Sequence, residues 1–294
     1  MKKVVLAYSG GLDTSCCIRW LIDKGFKVIC FSADIGSEFK PSQLRERALK
    51  TGAYKIYIKD LKEEFANEYI LRALKAGSIY EGKYVLSTAL ARPLIATHLV
   101  EIAKKEKAKF IAHGCTAKGN DQVRFDISVR LLAPNLNIIA PLREWELKSR
   151  EDEIKYAKKN NIPIKTTEEK IYSIDKNIWG VSVEGGVLED LNVEPPENSY
   201  YFLKSPLEAE NKETYVEIVF REGMPVKLNG RTMKFLQIIE KLNEIGARNA
   251  IGRTDLIEDR VVGIKSREIY EAPAAWILHT AHKELENLVL DRET

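Results

Sequence analysis

Residues 7–15 read Ala-Tyr-Ser-Gly-Gly-Leu-Asp-Thr-Ser. Adjacent Gly10 and Gly11 let backbone amides approach an anion at φ values that a side chain would forbid. A helix beginning just after them would add unpaired N–H groups and the positive end of its dipole. Ser9, Thr14 and Ser15 supply hydroxyl donors. The chemistry is that of a phosphate cradle, although the stretch has neither the lysine of a P-loop nor the glycine spacing of the dinucleotide fingerprint. A tight strand-to-helix turn with a Ser or Asp N-cap would use the same residues.

Two further stretches carry reactive groups. Residues 113–125 read His-Gly-Cys-Thr-Ala-Lys-Gly-Asn-Asp-Gln-Val-Arg-Phe, with hydroxyl, amide, carboxylate and guanidinium groups around two glycines. Such a set can receive an amino acid, offering donors to its carboxylate and an acceptor to its ammonium. Turn chemistry alone accounts for several of the same residues, and His113 has no partner at catalytic spacing. Residues 83–93 place Arg92 before Pro93 inside an otherwise helical pattern. Because proline removes a hydrogen bond from a helix interior, these residues alone read as a helix start with a solvated arginine.

The elements that must position these groups alternate between apolar runs and helical periods. Strands are expected at 3–8, 27–33, 54–58, 109–112 and 137–140. Helices are expected at 14–24, 41–51, 60–75, 88–105, 121–132 and 149–159, Gly25 closing the first of them. This alternation predicts an α/β fold with a doubly wound parallel sheet, whose ligands lie beyond the carboxyl ends of the strands. The notable loops sit where that rule puts them: after the first strand, after the second, and after the 109–112 strand. From about Lys165 the texture changes. A loop over 185–198, a hairpin of 214–220 with 225–228, a helix at 233–245, strands at 253–257 and 260–264, and a helix at 274–288 predict a second, α+β domain.

Composition narrows the class. The 294 residues include 46 Lys and Arg against 43 Asp and Glu, a net charge of +3, which argues for neither a nucleic-acid nor a membrane partner. Four cysteines, two of them adjacent, form no C-x-x-C spacing and read as buried hydrophobes in a reducing cytosol. The apolar start is broken by Ser9, the glycines and Asp13 too early for a secretory signal, and no run approaches the roughly 20 apolar residues of a membrane span.

The string Ser9–Ser15 resembles the pyrophosphate-binding loop of the N-type ATP pyrophosphatases. The three stretches together, with Tyr172–Asp175, Trp179-Gly180, Glu184–Asp190, Pro195-Pro196, Gly252-Arg253, Val262–Arg267 and Ile269–Glu271, resemble the argininosuccinate synthase family over essentially the whole chain. The resemblance implies an adenine nucleotide α-hydrolase-like domain over 1–165 and a synthetase and multimerisation domain over 166–294. It implies a ligase of arginine biosynthesis that joins citrulline to aspartate, with ATP cleaved to AMP and pyrophosphate through a citrullyl-adenylate. ATP would be held by Ala7, Tyr8, Ser9, Gly10, Gly11, Leu12, Asp13, Thr14, Ser15, Ala33 and Gly114. Thr116, Asn120 and Asp121 would contact aspartate. Tyr84, Thr88, Asn120, Arg124, Ser173, Ser182, Glu258 and Tyr270 would contact citrulline.

No side chain is expected to act as an obligatory nucleophile, and no protein metal site is expected. Mg²⁺ would accompany ATP, held mostly by phosphates and water. The resemblance also implies a cytoplasmic homotetramer without nucleic-acid or membrane partners, packed in the family through a tail that continues past Thr294. Ala117 stands where the family has glycine, and Ala89 where some members have serine. Ser37-Glu38-Phe39 replaces a glutamine-containing loop. Two rivals share the phosphate loop: a tRNA sulfur-transfer enzyme, which needs a reactive cysteine pair and a basic surface, and a nucleotide-binding regulatory module.

Overall fold

The computed structural model describes residues 1–37, 40–163, 172–291 and 293. Five parallel strands form the first sheet: β1 (Lys2–Ala7), β2 (Phe26–Asp34), β3 (Lys55–Asp60), β4 (Phe110–Ala112) and β5 (Asn137–Ile139). Their order is β3-β2-β1-β4-β5, so the chain reverses its direction of travel between β1 and β4. Period-2 alternation sends Val5, Ile29, Phe31 and Ile111 to one face and Val4, Leu6, Val28, Cys30 and Ala112 to the other. Both faces are covered, which is why these strands read as continuous apolar runs.

Helices α1 (Leu12–Asp23), α2 (Pro41–Lys50) and, later in the chain, α8 (Arg150–Lys159) cover the second of these faces through Cys17, Ile18, Leu21, Leu44, Ala48 and Ala157. On the first face lie α5 (Ala91–Glu106) and a helical run made of α3 (Lys62–Glu64), a π-wound stretch over Phe65–Ile70, and α4 (Leu71–Lys75). The α6 helix (Asp121–Leu132) packs beside α5, and the short α7 (Pro141–Glu144) follows β5. The π-wound turn interrupts the single α-helix expected at 60–75 and keeps Phe65, Ala66 and Ile70 buried.

The second half builds an antiparallel sheet from two hairpins, β6 (Ser173–Asn177) with β7 (Gly180–Glu184), and β11 (Arg253–Asp259) with β12 (Lys265–Glu271), in the order β11-β12-β7-β6. A separate meander of β8 (Ile218–Arg221), β9 (Met224–Leu228) and β10 (Arg231–Thr232) precedes α9 (Phe235–Arg248), and α10 (Pro273–Val289) packs along α9. The strand expected at 260–264 is corrected. Val261, Val262 and Ile264 look β-prone, but they occupy a solvent-exposed turn closed by Gly263 N–H donating to Arg260 O at 2.8 Å, and the strand begins at Lys265. The α5 helix starts at Ala91 rather than residue 88, since residues 84–90 form a braced loop. The hairpin of 173–184 was not anticipated: Ser173, Asp175 and Asn177 alternate with Ile174 and Lys176, and neither set is an apolar stripe.

One apolar cluster runs through both halves. Val5, Phe31, Leu94 and Leu99 belong to the same cluster as Trp179, Phe235, Leu242 and Leu278. The backbone joins the halves too, with Ile178 N–H donating to Ile35 O at 2.9 Å at the end of β2. The division expected at 165/166 lies outside the described residues. Trp179 is fully buried, and its Nε1–H donates to Val85 O at 3.2 Å. Trp179→Ala is expected to destabilise the chain by about 3–5 kcal/mol. In a urea titration followed by circular dichroism, the midpoint should fall in one transition, because the shared core couples both halves. A separate early transition confined to one half would contradict that coupling.

Candidate active site

The reversal between β1 and β4 opens a crevice at the carboxyl ends of the parallel strands, where open α/β sheets take their ligands. The loop after β1 carries the phosphate cradle. Ala7 ends the strand, and Tyr8 is buried with its hydroxyl 3.4 Å from Ser15 Oγ. Gly10 adopts φ +83°, and Arg47 Nη1 donates to its carbonyl oxygen. Gly11 precedes α1 with no side-chain cap, so the first-turn amides that begin at Leu12 remain open to an anion. Ser9 Oγ and Thr14 Oγ1 lie 3.0 Å apart at the exposed rim. Ser15 does not join them: its buried hydroxyl donates to Gly11 O at 2.7 Å, so it closes the turn rather than facing a phosphate.

Asp13 is hydrogen-bonded to Glu153 of α8. Burial, and then the Asp13 charge, push the Glu153 carboxyl up to about 9, so this pair carries a proton at neutral pH. A divalent cation brought by a nucleotide fits such a pair, because Mg²⁺ takes one or two carboxylates alongside phosphate oxygens. Among the described residues, no group of three or more His, Cys, Asp or Glu could hold a metal by itself. Ala33, near the end of β2, is half-buried beside the cradle strand. Gly114 follows β4, and a Cβ there would meet Thr14 Cγ2 at 2.9 Å; only glycine lets the two loops approach this closely. Glu38 and Phe39 of the departing loop lie outside the described residues.

Register places the other candidates. Tyr270 pairs with Ser182 and with Thr254, Ser182 pairs with Asp175, Ser173 with Glu184, and Glu268 with Leu256. The two-residue repeat therefore puts Ser173, Asp175, Ser182, Glu184, Glu258, Glu268 and Tyr270 on one face of the second sheet. Val181, Val183 and Ile269 cover the opposite face and pack on Leu188. The polar face meets the loop before α5: the Tyr84 ring stacks on Tyr270 with centroids 3.9 Å apart and planes 16° apart. Tyr84 is in turn held by its own loop. Its hydroxyl lies 2.9 Å from Thr88 Oγ1 and accepts from the amides of Thr88 and Ala89 at 3.2 and 3.0 Å. Asn177 Nδ2–H donates to Ser87 O at 2.9 Å, and Leu86 sits at φ +55°, a left-handed conformation that these braces hold. Ala89 contributes its backbone amide to these braces, and its methyl packs with Tyr84, Leu256 and Tyr270.

The loop of 113–121 bridges the two sides. His113 is buried and bonded to Asp126 at 2.9 Å, a packing role. Asn120 Oδ1 accepts from Val261 N–H at 2.8 Å, and Lys118 O accepts from Arg260 Nη1 at 3.2 Å. Ala117 O accepts from Gln122 Nε2, whereas Thr116 is exposed at the loop's edge. Asp121 lies between two guanidiniums, Arg92 Nε at 2.8 Å and Arg124 Nη1 at 2.7 Å. Burial works to raise the Asp121 carboxyl, and the Arg92 and Arg124 charges overcome it and hold it below the ordinary range. Arg92 also reaches Asp175 of the second sheet. It is the side chain that the sequence reading placed in solvent, and it is 84% buried in its carboxylate pair by the 16% exposure of its side chain. Burial disfavours its charge, but Asp121 and Asp175 keep the guanidinium fully protonated.

Glu258 and Tyr270 are buried at 4% and 2% exposure, and the Tyr270 hydroxyl lies 2.8 Å from Glu258 Oε2. Arg260 binds Glu184 at 2.7 Å and Glu268 at 3.0 Å. Arg92, Asp175, Glu184, Arg260 and Glu268 were not among the expected site residues. The signal for Arg92 was its place before a proline at a helix start; Asp175, Glu184 and Glu268 are brought together by the register, and Arg260 by the turn that follows β11. Ser173 lies on the shared face but is exposed at its edge.

A model described as the arginosuccinate synthase N-terminal HUP domain matches residues 3–163, and one described as the arginosuccinate synthase C-terminal domain matches residues 172–294. The chain belongs to the argininosuccinate synthase family. Family membership makes it an enzyme of the ligase type. An argininosuccinate synthase from Caldanaerobacter subterraneus subsp. tengcongensis is 57% identical over 294 residues, covering 100% of this chain and 72% of the relative. One from Aquifex aeolicus is 53% identical over 294 residues, covering 100% and 73%. Among solved structures, a 4-thiouridine synthetase in complex with RNA and bound ATP shares 16% identity over 55% of this chain and 41% of that chain, with a TM-score of 0.40, too distant to carry an argument.

Within this family fold, the Arg92 bridge should be testable by removal. Arg92→Met leaves Asp175 without its partner and Asp121 with one guanidinium only. The expected loss is about 3 kcal/mol, at the low end for a broken buried ion pair, because Asp175 is 39% exposed. Asp175→Asn should therefore cost less in the same urea titration. Equal or greater loss in Asp175→Asn would show that the sheet-side contact, not Asp121, dominates.

Proposed function

We propose that the chain condenses L-citrulline with L-aspartate to give argininosuccinate, cleaving ATP to AMP and pyrophosphate. On this reading the ureido oxygen of citrulline attacks the α-phosphorus and pyrophosphate leaves. The aspartate amine then attacks the activated ureido carbon and AMP leaves. A ureido carbon is a poor electrophile, and adenylation turns its oxygen into a good leaving group. The observation that carries the reading is the convergence of an open phosphate cradle, a bridging loop and a polar sheet face at one crevice, in a chain of this family.

The loop of residues 7–14 with Ala33 and Gly114 would take ATP, the α1 amides and the Ser9 and Thr14 hydroxyls meeting its phosphates while Ser15 holds the turn closed. Mg²⁺ would supply charge neutralisation at those phosphates, with Asp13 the carboxylate placed to meet it. Thr116, Asn120 and Asp121 would receive aspartate; Asp121 keeps acceptor capacity for an ammonium beyond its two guanidiniums, and Asn120 keeps its amide donors. Tyr84, Thr88, Asn120, Arg124, Ser173, Ser182, Glu258 and Tyr270 would receive citrulline. Arg124 gives one Nη to Asp121 and has further donors for the citrulline carboxylate. Glu258 would accept from its ammonium. No side chain need form a covalent bond; orientation and charge stabilisation at phosphorus supply the rate. We place the working enzyme in the cytoplasm as a homo-oligomer.

The sulfur-transfer rival needs a reactive thiolate. Burial pushes the Cys16 thiol up to about 12 and the Cys17 thiol well above its usual value, so neither is poised as a nucleophile.

Pyrophosphate release from ATP tests the reading directly. Release should require citrulline, and AMP and argininosuccinate should appear only when aspartate is added. No release with both amino acids present would remove it. Arg124→Lys, which keeps the charge but loses the fork, should raise the KM for citrulline about tenfold to a hundredfold, with the KM for ATP near wild type. Asp13→Ala should slow pyrophosphate release; a wild-type rate would take Asp13 out of the nucleotide site.

A further inference from the structure

The Tyr270 hydroxyl touches two carboxyls, Glu258 Oε2 at 2.8 Å and Glu268 Oε2 at 2.9 Å. A phenol has one proton to donate, and an ionised carboxyl has none. One O–H cannot point along two such short contacts at once, so both are full hydrogen bonds when one carboxyl holds a proton and gives it to the phenol oxygen. The surrounding charges agree with that count. Glu268 on β12 faces Arg260, Glu184 of β7, Glu258 of β11 and Tyr270. Glu258 faces Tyr270, Arg124 of α6, Arg260 and Glu81. Arg260 is divided between Glu184 and Glu268, and Arg124 is already bonded to Asp121. Four carboxyls thus share two partly engaged guanidiniums, and a pair of buried carboxyls bridged by one hydroxyl does not ionise fully. Burial, and then the Glu184 and Glu258 charges, push the Glu268 carboxyl up to about 7. Burial raises Glu258 as well, against the Tyr270 bond and the Arg124 and Arg260 charges.

We infer that Glu268 is a positioning residue that shares one proton with Glu258 through Tyr270, and that an amino-acid ammonium arriving at Glu258 expels this proton to solvent. The inference rests on the proposed assignment of Glu258 and Tyr270 to citrulline. The ligand's ammonium supplies the missing counter-charge, so both carboxyls ionise. The Tyr270 hydroxyl then donates to Glu268, and Glu258 is left to accept from the ammonium. One proton leaves for each ligand bound. The free site carries the raised group and the liganded site the lowered one, so binding strengthens as pH rises through neutrality. Below that point the KM for citrulline should climb by up to about tenfold per pH unit.

The test is isothermal titration calorimetry of the full chain with L-citrulline and the ATP analogue AMP-CPP present. Titrations in phosphate and in imidazole, at about pH 6 and about pH 8, give the protons released from the buffer dependence of the heat. The wild type should release close to one proton at the lower pH and close to none at the higher. In E268Q the amide can still donate to the Tyr270 oxygen but has no proton to lose. Citrulline should still bind, with release near zero and a flattened pH profile of its KM. Buffer-independent heats for the wild type at about pH 6, or undiminished release from E268Q at that pH, would overturn the inference while leaving citrulline at the site. Absence of citrulline binding, or binding that E258Q leaves intact, would instead overturn the site assignment and the inference with it.

Discussion

A guanidinium that has left water needs its charge answered, and Arg92 is answered by carboxylates from the two halves of the chain. Asp121 opens α6 in the first half of the chain, while Asp175 lies on β6 in the second. The desolvation of three charged groups is large, so the arrangement adds little net stability beside an apolar replacement. Its importance is geometric. Asp121 sets the direction of Arg124, Arg92 sets the position of Asp121, and Asp175 fixes Ser182 beside it in register. Removing the bridge would leave Asp121 and Asp175 positioned only by the other links between the halves, the Tyr84–Tyr270 stack and the Asn120–Val261 hydrogen bond among them.

The two sheets solve different problems with the same backbone. In the parallel sheet both faces are buried, and the residues that meet ligand come from loops beyond the strand ends. In the antiparallel sheet one face is apolar and the other gathers the polar side chains, so the proposed amino-acid contacts would lie on the strands themselves. Strands hold side chains more rigidly than loops do. The Tyr84–Tyr270 stack joins the two designs, and the Asn177 and Trp179 hydrogen bonds to the loop of 85–87 keep Tyr84 from moving independently of the sheet.

This difference explains what could be read from the residues alone. Continuous apolar runs made β1 and β2 plain, and the glycine pair between β1 and α1 marked the cradle. In the hairpin of 173–184, β6 has no apolar stripe and the five-residue β7 offers only Val181 and Val183, so its hydrophobic signature was too short to mark a strand. Conversely, Val261, Val262 and Ile264 carry the β-branched signature yet form a turn, since their neighbours Arg260 and Gly263 close it. Ser15 looked like one more phosphate donor, and only the fold shows its hydroxyl turned back onto Gly11. Arg92 was visible as an anomaly beside Pro93, but its two partners lie 29 and 83 residues away. Ser182 and Tyr270 were named through family resemblance alone, and the register sets them side by side on the polar face.

The Ile35–Ile178 hydrogen bond also has a temporal side. It joins residues separated by most of the parallel sheet's sequence, and the Asn120–Val261 bond spans 141 residues. Contacts of such long range form late, because closing a large loop must precede any gain from the contact. During synthesis at about 5–20 residues per second, the nucleotide cradle and its five strands emerge well before the polar sheet face exists. Until that face arrives, Asp121 is held by guanidiniums from its own half, and the apolar surface that will receive Trp179 and Leu278 is open to water. On the proposed assignment, the nascent first half would carry the phosphate cradle before the face that completes the amino-acid side has been made.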